Sequence, residues 1–168
     1  MFISSDTNIW IDFFEINHPE HPFLLNHKYY LSSAAYDDEL ISGDENRAVL
    51  EKYGLLVTDL SDDEMEQAIM YSAKYRRLSR YDTFALAIAK ERSWILLTGD
   101  KPLRNAALNE KIECHGLLWI YDELYRLEKI SGEAYTEALN ALLVSVQKGR
   151  SRFPIDELMK RLKRLKSL

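Results

Sequence analysis

The chain predicts an α/β fold, a parallel sheet covered by helices on both faces. Three observations lead there. Short apolar runs at residues 1–5, 28–33, 55–58, 94–98 and 117–121 alternate with stretches of helical spacing. Such alternation implies crossover connections and hence parallel strands. The chain has 168 residues, 46% of them hydrophobic and 29% charged, which suits one soluble domain with a sizeable core.

The elements follow in order. Residues 1–5 read as a first strand. Residues 8–16 place Ile9, Trp10, Phe13 and Phe14 at helical spacing. His18-Pro19-Glu20-His21-Pro22 breaks that helix into a loop. Residues 28–33 read as a second strand and 34–41 as a helix. After Gly43 a helix over 47–53 is stopped by Gly54, and 55–58 make a short third strand. Ser61-Asp62-Asp63-Glu64 is a capping box opening a helix to about Tyr75. Ser79-Arg80-Tyr81-Asp82 is a second one, ahead of 84–91. Residues 94–98 form the clearest strand, bounded by Gly99. Pro102 suits the first turn of the helix ending near Leu108. Residues 117–121 read as a fifth strand, with Asp122 capping a helix over 123–127. Ser131 caps a helix to about Val146. Pro154 starts a last helix with Ile155, Leu158, Met159, Leu162 and Leu165 on one face.

The expected organisation is one domain over 1–148 and a basic amphipathic helix over 149–168, packed on the domain or extending it. Residues 148–153 are the only linker-like stretch. With one cysteine, Cys114, no internal disulfide forms, and a reducing cytoplasm fits. Cys114 reads as a small core residue. No signal peptide is expected, and no apolar run reaches the roughly 20 residues of a membrane helix.

Net charge is −5, which alone argues against nucleic acid. Its distribution argues the other way. Lys148, Arg150, Arg152, Lys160, Arg161, Lys163, Arg164 and Lys166 face only Asp156 and Glu157 in the tail. That tail reads either as a phosphate-contacting surface or as a solvated helix face.

Four carboxylates fall where such a fold gathers an active site, outside the carboxyl ends of strands: Asp6, Glu39, Asp82 and Asp100. Pooled carboxylates repel, and burial makes them costly, whereas a hard cation such as Mg²⁺ or Mn²⁺ relieves both. Each also has a structural reading. Asp6 and Asp100 serve as helix caps, Asp82 completes the second capping box, and Glu39 belongs with Asp37 and Asp38 to a solvated acidic face. Thr98-Gly99-Asp100-Lys101 is the strongest local signal, a polar turn straight after an apolar strand. Lys101 and Arg104 read as phosphate contacts or as solvated cations. His18, His21, His27 and His115 show no zinc-type spacing with cysteine, so no zinc site is expected. There is no Walker loop and no Gly-x-Ser-x-Gly elbow.

Taken together, four segments resemble the PIN-domain ribonucleases, VapC-type toxins among them. These are Ile3-Ser4-Ser5-Asp6-Thr7-Asn8, then Asp38-Glu39-Leu40, then Leu78-Ser79-Arg80-Tyr81-Asp82 with Ala85-Leu86-Ala87-Ile88-Ala89, and finally Leu96-Leu97-Thr98-Gly99-Asp100-Lys101-Pro102-Leu103. Their order and spacing match over roughly residues 1–125. Arg152-Phe153-Pro154-Ile155-Asp156-Glu157-Leu158 is similar to the end of some members. The resemblance implies a three-layer α/β/α domain with about five parallel strands. It implies a pocket of Asp6, Glu39, Asp82 and Asp100 binding Mg²⁺ or Mn²⁺, supported by Asn8 and Thr98. It further implies hydrolysis of single-stranded RNA, a homodimer and, for toxins, an antitoxin partner. Asp37 or Asp38 stands as an alternative to Glu39. The competing functions are a haloacid-dehalogenase-like phosphohydrolase, for which Asp6-Thr7-Asn8 lacks the second Asp, and an inactive PIN-like module that binds RNA or protein.

Overall fold

A computed structural model describes residues 1–40, 44–150 and 153–166; the expectations for Ile41, Gly43 and Arg152 lie outside them. Five strands form one sheet: β1 (Phe2–Ser5), β2 (Lys28–Ser32), β3 (Leu56–Thr58), β4 (Ile95–Leu97) and β5 (Cys114–His115). Their order is β3-β2-β1-β4-β5, and all pairings are parallel. The helices are α1 (Thr7–Glu15), α2 (Ser33–Asp38), α3 (Asp44–Tyr53), α4 (Asp62–Lys74), α5 (Arg80–Glu91), α6 (Lys101–Asn109), α7 (Leu117–Arg126), α8 (Gly132–Gln147) and α9 (Ile155–Lys166). A 3₁₀ turn spans His21–Leu24.

The two-residue period of the strands sorts the core into two layers. Ile3, paired with Tyr29 and Ile95, joins the cluster of Trp10, Phe13, Tyr121 and Leu142, built from α1, α7 and α8. Ser4 and Leu96, paired with each other, face the opposite way. Leu96 packs with Ala68, Leu86 and Ala107 of α4, α5 and α6. The Ser4 hydroxyl donates to the Ala85 carbonyl at 2.9 Å, pinning α5 to the central strand. Trp10 Nε1 donates to the Ser5 hydroxyl (2.9 Å), which donates to the Tyr30 carbonyl (2.9 Å). The Ser4 and Ser5 hydroxyls at the end of β1 are thereby satisfied inside the core.

Both capping boxes form, at Ser61/Glu64 and Ser79/Asp82. Gly54 ends α3 with φ of +116°, a backbone state that strains any other L residue. Glu64 is 2% exposed, and Arg92 closes on it with Nη2 to Oε2 at 2.9 Å.

Several expectations are corrected. Residues 117–121 are helix, not strand: β5 is Cys114–His115, and extended Gly116 caps α7. Leu117, Ile120, Tyr121 and Leu124 are its buried residues, a helical spacing that the five-residue run was too short to reveal. Asp122 consequently caps nothing. It lies inside α7 and accepts from the Tyr135 hydroxyl at 2.7 Å and Arg161 Nη2 at 2.7 Å. Ser33 leaves the second strand and starts α2, which the Ser32 side chain caps. On α9, Leu158 and Leu162 are buried, but Ile155 and Met159 are nearly half exposed. Among the described residues no helix is long and apolar enough to cross a membrane.

Arg92→Ala strands the buried Glu64 carboxylate. It is expected to cost about 3 kcal/mol, read as a lower urea midpoint with unchanged m-value.

Candidate functional site

In the order β3-β2-β1-β4-β5, successive connections run outward from β1 on one side and from β4 on the other. The crevice between the carboxyl ends of β1 and β4 is thus the topological switch point of the sheet. Asp6 leaves β1 there, and Thr98-Gly99-Asp100 leaves β4 there.

Asp6 is 5% exposed. Its Oδ1 caps α1 by accepting from the Ile9 amide at 3.0 Å, and its Oδ2 accepts a short bond from the Thr98 hydroxyl. Thr98 Oγ1 in turn accepts from the Asp100 amide at 3.0 Å. Asp100 Oδ2 caps α6 through the Leu103 amide at 2.9 Å. Asp82 arrives from the first turn of α5, with Oδ2 accepting from the Ser79 amide at 2.7 Å. These caps use Oδ2 alone in Asp82 and Asp100, so capping leaves a second oxygen of each for a cation.

Glu39 ends α2, and its Oε2 accepts from the Thr7 hydroxyl at 2.9 Å, one residue from Asp6. Asp38 instead accepts from Arg80 Nη2 at 2.8 Å and the Tyr81 hydroxyl at 2.7 Å. Asp37 touches Arg47 through its carbonyl, at 2.6 Å. Of the three acids, Glu39 is the one tied to the neighbourhood of Asp6.

The electrostatics follow from this crowding. Burial pushes the Asp6 carboxyl from 3.8 up to about 7; its bonds to Thr98 and the Ile9 amide oppose the shift, and the charges of Asp82 and Asp100 add to it. Burial also raises Glu39, with the charges of Asp82 and Asp38 contributing. Asp82 is raised by burial and by Asp100. Three carboxylates that resist ionising are a poor set of isolated charges and a good set of ligands for a hard dication, which takes oxygen donors.

Asn8 is exposed at the rim, where it lines a cavity of about 280 Å³ with Asp12, Gly99, Asp100, Arg150 and Phe153. Asp12 was not singled out from the sequence. Its signal was there: it follows Asn8 by four residues and so shares its helix face. Lys101 and Arg104 line a neighbouring cavity of about 430 Å³ with Gly99 and Trp119. Lys101 also borders a cavity of about 350 Å³ with Arg76 and Arg77, a pair of cations likewise overlooked. Within the basic tail, Arg161 is committed to Asp122 and Glu157, both at 2.7 Å, which is a structural duty.

Between pH 4 and 7 the fold keeps a proton on Asp6 that the unfolded chain has lost. The stability from this group is therefore full below about pH 4 and is lost as pH rises through 7. In EDTA the urea midpoint of the wild type should fall across this window. Asp6→Asn, which cannot ionise, should flatten much of a slope amounting to about 4 kcal/mol at most.

A family model described as DUF3368, a PIN domain, matches residues 2–167. A comparison with curated proteins returns no match.

Proposed function

Because the chain belongs to the PIN-domain family, whose members are in general nucleases that use divalent metal ions, we propose that it is a Mg²⁺- or Mn²⁺-dependent endoribonuclease cutting single-stranded RNA. The observation that carries this reading is Asp6, buried at the β1/β4 switch point and feeling the charges of Asp82 and Asp100.

Asp6, Asp82 and Asp100 would hold the cation, with Glu39 at the edge and Asn8 and Thr98 in support. The cation, when bound, supplies charge to offset the carboxylates and to polarise a phosphodiester. The rest falls to the chain. Thr98 fixes the Asp6 carboxylate by its hydroxyl and the Asp100 backbone by its oxygen. Glu39, steadied by Thr7, takes the proton of an attacking water as its oxygen bonds to phosphorus. The raised affinity of Glu39 for protons suits that task. The P–O bond opposite breaks, and the departing oxygen takes up a proton. Lys101 and Arg104, on the rim, bind flanking phosphates.

The unit that does this is residues 1–148, with 149–168 as an extension whose Leu158 is fully buried in the same core. A toxin role with an antitoxin partner, a homodimeric state and a cytoplasmic location rest on the resemblance and on the lone cysteine. The acidic pocket itself does not require them.

A mixed single-stranded RNA pool tests the activity. Cleavage is expected with Mn²⁺, none with EDTA, and at least a hundredfold loss in Asp100→Asn or Asp82→Asn. Cleavage that persists in EDTA or in Asp100→Asn would sink the reading. Replacing Lys101 and Arg104 together by Ala should flatten the log–log salt dependence of RNA binding by about 1.4; an unchanged slope removes them from the RNA path.

A further inference from the structure

A second group of ligand atoms lies at the other end of α1, beyond its nine residues and about 13 Å of helix rise. Among the described residues, His18, Glu20 and His21 offer donor atoms all within 4.8 Å of one another. His18 Nδ1 stands 3.2 Å and His21 Nε2 3.7 Å from the same oxygen, Glu20 Oε1. Neighbouring ligands of a tetrahedral Zn²⁺, with bonds of about 2.0–2.1 Å, lie about 3.4 Å apart.

Ordinary hydrogen bonding accounts for only half of this arrangement. A bond joins His18 and Glu20. At 3.7 Å, however, His21 Nε2 is too far from the same oxygen to share it. The other ring nitrogen, Nδ1, is already engaged by the Tyr121 hydroxyl at 2.8 Å. His21 is 8% exposed and Tyr121 fully buried. An imidazole fixed through its far nitrogen while its near one faces a carboxylate is how metal-binding histidines are oriented.

The loop presents these atoms on a stiff frame. The His18 amide donates to the Phe13 carbonyl at 3.0 Å and the His21 amide to the His18 carbonyl at 3.3 Å. Pro19 and Pro22 fix the backbone on either side of Glu20 and His21. The two imidazoles stack at 4.1 Å and 5°, so His18 must turn about its side-chain bonds to aim Nδ1 at an ion lying in the His21 ring plane. His18 and Glu20, with a third of each side chain exposed, can adjust to a cation, while His21 is the fixed point. The His-Pro-Glu-His spacing has no cysteine partner, so nothing in the sequence flagged this convergence.

We propose that His18, Glu20 and His21 bind a transition-metal dication, Zn²⁺ by its preference for imidazole and carboxylate, and that the ion fastens the loop after α1 to α7 through Tyr121. Solvent fills the fourth position. The site shares no residue with the acidic pocket and does not depend on its activity.

The test uses the full chain. Zn²⁺ is titrated by calorimetry, Co²⁺ by its visible absorption, and thermal unfolding is followed with each. With Mg²⁺ in excess to occupy the acidic pocket, one Zn²⁺ should bind per chain. At a hundredfold excess over Kd it should raise Tm by about 5–10 °C. His18→Ala and Glu20→Ala each alter a partly exposed side chain, so both should fold. Each should weaken zinc binding at least tenfold and erase the tetrahedral Co²⁺ bands. Asp100→Asn should bind zinc as the wild type does. The proposal fails if no saturable zinc binding occurs, or if His18→Ala binds zinc unchanged. It also fails if Asp100→Asn alone abolishes the binding, which would place the ion in the acidic pocket.

Discussion

The bond between the Thr98 hydroxyl and the Asp6 carboxylate joins the ends of two neighbouring parallel strands, and the arrangement of the acidic pocket depends on it. A carboxylate this deeply buried must be hydrogen-bonded, protonated or matched by a cation. Thr98 and the Ile9 amide supply the first remedy, and the raised carboxyl supplies the second. The third is what the surrounding acids make attractive. Thr98 also orients the backbone of Asp100, so one wholly buried hydroxyl sets the positions of two of the acids.

Capping and the proposed chemistry coincide at three of the four positions. Asp6 and Asp100 are N-caps, and Asp82 closes a capping box. A helix cap holds a carboxylate by backbone amides, which do not move relative to the helix they start. Three helices therefore aim three carboxylates with little side-chain freedom left. Glu39 differs: it sits at a helix C-terminus and owes its position to one long-range bond, to Thr7.

This coincidence explains what could be read in the sequence. Ser-x-x-Asp, Ser-x-x-Glu, Pro102 and the apolar run into Thr98-Gly99-Asp100 are local signals, and each element they announce is present. The pairing of Glu39 rather than Asp38 with Thr7 was not legible, because it depends on Arg80 and Tyr81, more than forty residues away, drawing Asp38 off. The fifth strand failed for another reason. An apolar run of five residues fits a buried strand and a buried helix equally, and the extended backbone at Gly116 decided between them. The loop's own backbone bonds and prolines gather His18, Glu20 and His21, and only the setting of the His21 ring depends on a distant residue, Tyr121.

Strand order also carries a consequence for the life of the nascent chain. The Asp6–Thr98 bond spans 92 residues. A ribosome adding about 5–20 residues per second needs roughly 5 to 20 seconds to make that stretch. Until β4 emerges and docks beside β1, the carboxylate of Asp6 lacks both its hydroxyl partner and its neighbour Asp100. The acidic pocket is thus absent throughout early synthesis, and a chain still short of Asp100 cannot gather its carboxylates.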